Sequence, residues 1–361
     1  MRDFYKSPCF IDITTTKRCN LRCDYCSVSA GNCYEDELNL EEFKKLFKEV
    51  HDLNIHRISL SGGEPFTRSD FFDILNEATK YDYATIINSN GTLITEEIAK
   101  KLTRYNFNRI CITLDGDRPE IHEYFRGKGS FEKTINGIKN LQKYNLPVST
   151  LFTLNKINVN NLIDCIKFNE KLGIEYMSVM VLCPTGRATS GNLLVDKNTW
   201  YEVFNKLTDM KKNEEIKLNF KIVPPNESDV FWLYYFPLKY YDKLDLLYLW
   251  EQEENNNYNR EISCKAGISS CYIDANGDVY GCELMSGINS LLAGNIKKQS
   301  LKDIWDNSSV FSKLRNMKFE NLRGKCKECP HTWCGGGCRS TAFNLGGSLC
   351  SSDESCFYES N

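Results

Sequence analysis

The sequence predicts an α/β protein whose mostly parallel sheet is followed by a small cysteine-rich α+β domain. Strand-like and helix-like apolar patterns alternate through about the first 212 residues, which predicts parallel strands joined by helical crossovers. Closely spaced cysteines occur near the start of this region and again between residues 264 and 356. Six βα units could form an open doubly wound sheet or an incomplete barrel, and periodicity alone does not separate the two.

The predicted elements follow one another at regular intervals. Strand-like runs cover residues 10–15, 56–60, 84–88, 109–114, 148–154 and 176–182. Amphipathic helices are predicted between and after them, over residues 40–53, 69–80, 95–105, 131–144, 159–172 and 200–210. Ser69 and Thr95 are the expected N-caps of two of these helices. In either topology, functional residues are expected at the carboxyl ends of the strands.

The pattern divides the chain into residues 1–212, 213–262 and 263–361. The middle part breaks the alternation and is interpreted as a connecting region with its own helix, an aromatic run at 231–250 and a polar patch at 251–259. Charged residues inside the aromatic run make a membrane span too costly. In the last part, a hairpin is predicted to turn at Asn276–Gly277.

The composition points to a metalloprotein of the cytoplasm. The chain has 17 cysteines, an odd number, and no apolar run long enough for a signal peptide in residues 1–16. Many of the cysteines lie two to four residues apart, which is typical of metal ligands rather than of a disulfide framework. The net charge of −3 argues against a nucleic-acid binder held by a general basic field.

The first cysteine group follows the first strand directly, as Cys19, Cys23 and Cys26. A structural zinc site normally takes four protein ligands, whereas three thiolates suit a [4Fe–4S] cluster with one open iron. Tyr25 precedes the last of these cysteines, and Ser-Gly-Gly-Glu-Pro at 61–65 ends the second strand. In these motifs the sequence resembles the radical S-adenosylmethionine superfamily.

That resemblance implies a partial (β/α)6 barrel of the TIM type. It also implies that the open iron chelates S-adenosylmethionine, which is cleaved reductively to methionine and a 5′-deoxyadenosyl radical under anaerobic conditions. The electron would come from a donor such as flavodoxin or ferredoxin. By the same resemblance, the residues that bind S-adenosylmethionine would be Tyr25, Gly62, Gly63, Glu64, Pro65, Thr113 and Arg126.

The second cysteine region resembles the SPASM domain, the auxiliary-cluster extension of this superfamily. The resemblance implies two auxiliary [4Fe–4S] clusters, and so three in all. The first would be bound by Cys264, Cys271, Cys282 and Cys338, and the second by Cys326, Cys329, Cys334 and Cys356. Some relatives bind the first cluster through three cysteines, which leaves Cys271 open, and Cys350 is the alternative to Cys356. Four-cysteine sets also suit structural zinc. Cys183, at the end of the sixth strand, is expected in the core but could face the site.

The resemblance implies an oxidoreductase that abstracts hydrogen from its substrate. We expect a maturase that crosslinks or oxidises a ribosomally made peptide or a protein side chain. The alternatives are a small-molecule decarboxylase or dehydrogenase of the tetrapyrrole type, and a non-catalytic electron carrier or zinc scaffold. Only 18 residues precede Cys19, so a peptide would need a separate recognition protein or direct capture.

A base is also expected, because oxidation of a substrate radical usually requires loss of a proton. Glu283 follows Cys282 directly and matches the position of an aspartate that serves as base in sulfatase-maturing relatives. Asp115 and His122, on the loop after the fourth strand, are the competing bases.

Overall fold

A ten-stranded sheet organises the chain in the computed structural model, which describes residues 5–223, 231–251, 262–331 and 334–359. The strands are β1 (Phe10–Thr14), β2 (Arg57–Ser61), β3 (Ala84–Ser89), β4 (Arg109–Thr113), β5 (Val148–Leu154), β6 (Tyr176–Val181), β7 (Asn219–Val223), β8 (Ser270–Ile273), β9 (Asp278–Tyr280) and β10 (Gly294–Asn295).

The strand order separates the two topologies that periodicity left open. Strands β1 to β7 follow one another in sequence order, and each is parallel to the next. This order has no reversal point, which a doubly wound sheet would require. The fold is therefore the singly wound, partial barrel, as expected.

Helices cover the outside of the sheet. They are α1 (Leu40–Asp52), α2 (Phe71–Ala78), α3 (Glu96–Leu102), α4 (Pro119–Arg126), α5 (Ser130–Lys143), α6 (Leu162–Lys171), α7 (Lys197–Lys212), α8 (Trp232–Tyr240), α9 (Leu301–Asn307), α10 (Ser309–Arg315), α11 (Lys325–Glu328) and α12 (Arg339–Gly346). The apolar stripe of α1 is buried as predicted, and Asn39 and Glu42 form a capping box at its start. None of the helices in these ranges is long and apolar enough to cross a membrane.

The predicted N-caps have different outcomes. Thr95 caps α3 by accepting a hydrogen bond from the Ile98 amide at 3.3 Å, so that prediction is confirmed. The prediction for Ser69 is wrong, because α2 begins at Phe71 and Asp70 is its N-cap. The Asp70 carboxylate accepts from Arg68 Nε at 2.7 Å, and this contact holds the chain in a turn before the helix starts.

The connecting and C-terminal regions add four strands, β7 to β10, to the barrel sheet. β7 lies in the predicted connecting region and adds a seventh parallel strand beside β6. The hairpin is confirmed, with Gly277 at a φ of +88° between β8 and β9. Its strand β8 pairs in parallel with β1, so the cysteine-rich region continues the sheet of the barrel. Most of the polar patch at 251–259 lies outside the described residues.

Candidate metal centre and cofactor site

A cavity of about 500 Å³ lies inside the partial barrel, between the strands and the loops at their carboxyl ends. Inward-facing residues such as Phe10, Asp12 and Ser59 form its wall. Eight residues predicted from the sequence also line it, namely Cys19, Cys23, Tyr25, Cys26, Gly62, Gly63, Thr113 and Arg126. Glu283 and Cys183 face the same space.

The three cysteines of the first loop lie close together. The charges of Cys23 and Cys26 both act on the Cys19 thiol, whose pKa burial raises to about 11. Two sulfur atoms accept backbone hydrogen bonds, Cys19 Sγ from the Leu21 amide at 3.4 Å and Cys26 Sγ from the Ala30 amide at 3.3 Å. Such donors favour the thiolate form that binds metal.

The glycines after β2 pack against the start of the cysteine loop. The Gly63 amide donates to Thr16 O at 2.7 Å, and a Cβ on Gly63 would lie 2.3 Å from the Arg18 carbonyl oxygen. The Glu64 amide donates to Arg18 O at 2.9 Å. Only glycine permits this approach, so the two sequence motifs form one compact unit.

Glu64 turns its carboxylate into the protein rather than toward the cavity. It accepts hydrogen bonds from Ser89 Oγ at 2.8 Å and from the Asn90 amide at 2.7 Å. Burial raises the pKa of this carboxyl to about 7. Glu64 thus ties the loop after β2 to the end of β3, and neither it nor Pro65 lines the cavity.

Asp115, Arg126 and Tyr25 form a buried network behind the cysteine loop. Asp115 Oδ2 accepts from Arg126 Nε at 2.5 Å and from the Tyr25 hydroxyl, and its Oδ1 accepts from the Thr153 amide at 2.8 Å. Arg126 and Tyr25 reach the cavity, whereas Asp115 does not. The Asp115 carboxylate therefore holds two cavity residues in place.

His122 is fully buried and outside the cavity lining. Its Nδ1 accepts from the Asp115 amide at 3.2 Å, while Nε2 has no hydrogen-bond partner. Burial lowers the pKa of the imidazole to about 4, with a further contribution from Arg126. The roles of Asp115 and His122 as bases stay predictions, and both residues lack contact with the cavity.

Glu283 lies between the two cysteine regions. Its carboxylate is hydrogen-bonded to the hydroxyl of Ser27, the residue after Cys26, and it directly follows Cys282. Burial raises the pKa of this carboxyl, and the charge of Lys17 opposes the shift. Of the three predicted bases, Glu283 alone faces the cavity.

A loop after β6 clamps the three-cysteine loop, and the sequence did not reveal it. Arg187 Nε donates to Cys23 O at 2.7 Å, Nη1 to Ala30 O at 2.8 Å, and its amide to Cys26 O at 3.1 Å. Gly186, at a φ of +57°, packs directly on the backbone of Cys26 and Ser27. The clamp fixes the loop on which all three thiols lie.

Gly186→Ala is expected to displace the three-cysteine loop. A Cβ at Gly186 would lie 2.2 Å from Cys26 O and 2.4 Å from Ser27 O, both backbone atoms that cannot move alone. The matched control is Gly287→Ala, with a φ of +77° and nothing within 4 Å of the added Cβ. Because both glycines have positive φ, backbone strain is common to the two variants. We expect Gly186→Ala to lose about four irons per chain, with full iron content retained in the control. Equal iron content in the two variants would contradict this role of the clamp.

The second cysteine region contains two separate groups of thiols. Cys282 interacts electrostatically with Cys264 and Cys338, and Cys356 interacts with Cys334. The charged groups that act on the Cys271 thiol are Asp12 and Arg315, and no other cysteine is among them. Cys326 and Cys329 lie in α11 and directly after it.

The thiol groups fit iron–sulfur clusters. Burial raises the pKa of Cys19, Cys23 and Cys282, so their thiols ionise only beside a positive partner such as iron. Within the described ranges, no group of three or more His, Cys, Asp or Glu side chains is placed to hold one metal ion. A parallel barrel with a three-thiol loop at the carboxyl ends of its strands defines a cluster-dependent enzyme.

Comparison with known proteins identifies the family. The model of the radical SAM superfamily matches residues 13–168, and that of an iron-sulfur cluster-binding domain, SPASM, matches residues 264–330. The chain is 30% identical to an AdoMet-dependent heme synthase of Methanosarcina barkeri, over 98% of this chain and 97% of that protein. The chain therefore belongs to the radical SAM superfamily and is an enzyme with a C-terminal SPASM domain, using iron–sulfur clusters and S-adenosylmethionine.

Other relatives differ in name. The chain is 27% identical to the mycofactocin maturase MftC of Mycobacterium tuberculosis, over 94% of this chain and 81% of that protein. The solved structure of Streptococcus suis SuiB bound to precursor peptide SuiA has the same fold, with a TM-score of 0.77 at 18% identity, covering 98% of this chain and 77% of SuiB. The two sequence relatives are named for different reactions and the SuiB structure shows a shared fold, so the substrate stays open.

Proposed function

We propose that this enzyme oxidatively modifies a side chain of a ribosomally made peptide or of a protein, using three [4Fe–4S] clusters. The cavity carries the proposal. Its volume of about 500 Å³ has to hold both S-adenosylmethionine and the reacting group of the substrate. One inserted side chain, with the peptide backbone outside the barrel, suits the remaining space. Cys19, Cys23 and Cys26 would hold the cluster that binds S-adenosylmethionine, and the bound pair would supply the radical chemistry that removes a hydrogen atom from the substrate.

Different cavity residues are assigned to different chemical groups of S-adenosylmethionine. Backbone groups at Gly62 and Gly63 face the space beside Cys19 and suit the ammonium of the methionine part. Arg126 binds Asp115 through Nε and Tyr25 through Nη2, which leaves Nη1 to meet a carboxylate. Thr113 adds a hydroxyl from the end of β4. Glu64 and Pro65 position these glycines from behind the wall.

Tyr25 gives the cavity an apolar wall for the adenine. It packs edge-on against Phe125, with the ring centroids 5.2 Å apart, and forms a small cluster with Leu182 and Ala188. The hydrogen bond to Asp115 fixes the ring, because a buried tyrosine hydroxyl needs a partner. We expect the fixed Tyr25 ring to orient the nucleoside of S-adenosylmethionine.

The SPASM domain would hold the two auxiliary clusters beside the substrate. Cys326, Cys329, Cys334 and Cys356 form the second set, with Cys356 preferred to Cys350 because it interacts with Cys334. The contact of Glu283 with Ser27 places a carboxylate between the cysteine regions. We assign to Glu283 the proton that the oxidised substrate releases, and an auxiliary cluster held by the SPASM cysteines would supply the acceptor for the electron.

The domain boundaries are proposed at residues 1–212 for the barrel, 213–262 for the connecting region and 263–361 for the SPASM domain.

A reducing donor such as flavodoxin or ferredoxin would be a partner, and a separate protein could present the peptide. None of the 17 cysteines, all of which lie in the described residues, forms a disulfide. This state suits a reducing compartment such as an anaerobic cytoplasm.

A second candidate is oxidative decarboxylation of a tetrapyrrole. The near end-to-end match to a heme synthase favours it. Arg57 and Arg109 also line the cavity, where they stack on Phe10 and Tyr176 with distances of 4.6 and 4.8 Å to the ring centroids. Guanidinium groups suit the carboxylates of propionate side chains.

Mass spectrometry after anaerobic turnover separates the two candidates. The reconstituted enzyme would be reduced with dithionite and incubated with S-adenosylmethionine and either a synthetic peptide encoded beside its gene or an iron tetrapyrrole bearing propionates. We expect the peptide to lose the mass of two hydrogens for each modification. Loss of carbon dioxide and two hydrogens per propionate from the tetrapyrrole, with an unmodified peptide, would reject the maturase in favour of the second candidate.

A further inference from the structure

The four thiols that the family resemblance assigns to the first auxiliary cluster do not all lie in one group. Cys282 interacts with Cys264 and Cys338, whereas Cys271 lies in β8, paired with Ile11 of β1. Residues paired across two neighbouring strands point to the same face of the sheet, and alternate residues point to opposite faces. Phe10 and Asp12 line the cavity. Ile11 and its partner Cys271 therefore point to the opposite, helix-covered face.

Another thiol approaches the group from the barrel. Cys183 lies two residues after β6 and lines the cavity. The thiols of Cys183 and Cys338 are neighbours, and each changes the pKa of the other. Cys338 in turn is the N-cap of α12, and its amide donates to Asp353 Oδ2 at 2.7 Å. The Cys183 side chain is thus directed into the cysteine group of the SPASM domain.

One carbonyl group joins the three chain segments that carry these thiols. Leu284 O accepts from Thr185 Oγ1 at 3.1 Å and from Ser340 Oγ at 2.7 Å. Each of these three residues lies two positions from a cysteine of the group, as Thr185 follows Cys183, Leu284 follows Cys282 and Ser340 follows Cys338. All three are at least partly buried. The arrangement therefore holds the cysteines together by contacts independent of the thiols themselves.

We propose that Cys183 is the fourth ligand of the first auxiliary cluster, with Cys264, Cys282 and Cys338, and that Cys271 is a structural thiol. The inference rests on the auxiliary clusters of the proposed function. Each thiol would bind iron as thiolate and release its proton. A ligand from the loop after β6 would connect the cluster to the wall of the substrate cavity, and this would give the electron of a substrate radical a short path to the cluster.

Iron content of the full-length, anaerobically reconstituted protein tests the proposal. Three clusters correspond to about twelve irons per chain in the wild type. We expect Cys183→Ala to fall to about eight irons, and Cys271→Ala to keep about twelve. Cys165→Ala is the matched control for loss of a buried thiol, since Cys165 lies in α6 and contacts Leu114 O at 3.9 Å. It should also keep about twelve irons.

Spectroscopy of a conservative variant guards against simple misfolding. Serine at position 183 can bind iron through oxygen, so Cys183→Ser is expected to change the EPR signal of one auxiliary cluster while the signal of the radical SAM cluster stays. An unchanged spectrum in a folded Cys183→Ser protein would overturn the proposal. So would loss of four irons in Cys271→Ala alone, or full iron content in both alanine variants. A wild type with about four irons would instead refute the auxiliary clusters themselves.

Discussion

Replacing Cys19, Cys23 and Cys26 together by alanine is expected to abolish 5′-deoxyadenosine formation and to leave about eight of about twelve irons per chain. The three thiols line the cavity and interact with one another, while the remaining cysteine groups lie in the SPASM domain. Loss of the first cluster should therefore spare the other two. Chromatography of the nucleoside and colorimetric iron analysis measure both effects.

Cys33→Ala is the matched control for this experiment. Cys33 lies seven residues after Cys26, is exposed, and accepts a hydrogen bond from Arg18 Nη2 at 3.4 Å. It belongs to none of the proposed ligand sets, so its removal should leave iron content and nucleoside yield at wild-type values. Residual 5′-deoxyadenosine in the triple variant would contradict the assignment of the radical cluster.

Glu283→Gln is expected to keep all three clusters and to form 5′-deoxyadenosine, but to lose product by about 100-fold or more, the scale of a missing general base. Glutamine keeps the shape of the side chain and can still accept from the Ser27 hydroxyl. It cannot take the proton that the oxidised substrate must release. The measurement is the ratio of product to 5′-deoxyadenosine, with the substrate identified by turnover.

Asp115→Asn is the contrasting variant. The sequence offers Asp115 as an alternative base, but in the structure this residue contacts Arg126 and Tyr25. Its replacement should weaken binding of S-adenosylmethionine and lower nucleoside and product together, with their ratio preserved. If Glu283→Gln preserves that ratio as well, Glu283 is not the base.

Local pattern was enough to predict the strands of the barrel, although not their order in the sheet. Each of the first six strands lies within one residue of its predicted limits, because a buried parallel strand is a short apolar run bounded by polar loops. α4 escaped notice because its eight residues carry only a brief apolar pattern. β7 was missed for a related reason, since it alternates exposed and buried residues outside the region where strands were expected.

The candidate site was predictable only where its chemistry lies in one stretch of chain. Cys19, Cys23 and Cys26 are visible as a spacing, and so are the glycines at 62 and 63. The clamp by Arg187 and the contact between Ser27 and Glu283 join positions more than 150 residues apart. Such pairs leave no periodic signal in a single sequence. Cys183 had no local partner to distinguish it from a core thiol.

The parallel pairing of β8 with β1 has a consequence for biosynthesis. β1 meets β2 within about fifty residues, but its other edge stays open until residues 270–273 have left the ribosome. An uncovered strand edge is a template for aggregation, and such a long sequence separation slows closure. The nascent chain therefore carries an exposed edge beside its first three thiols through most of its translation.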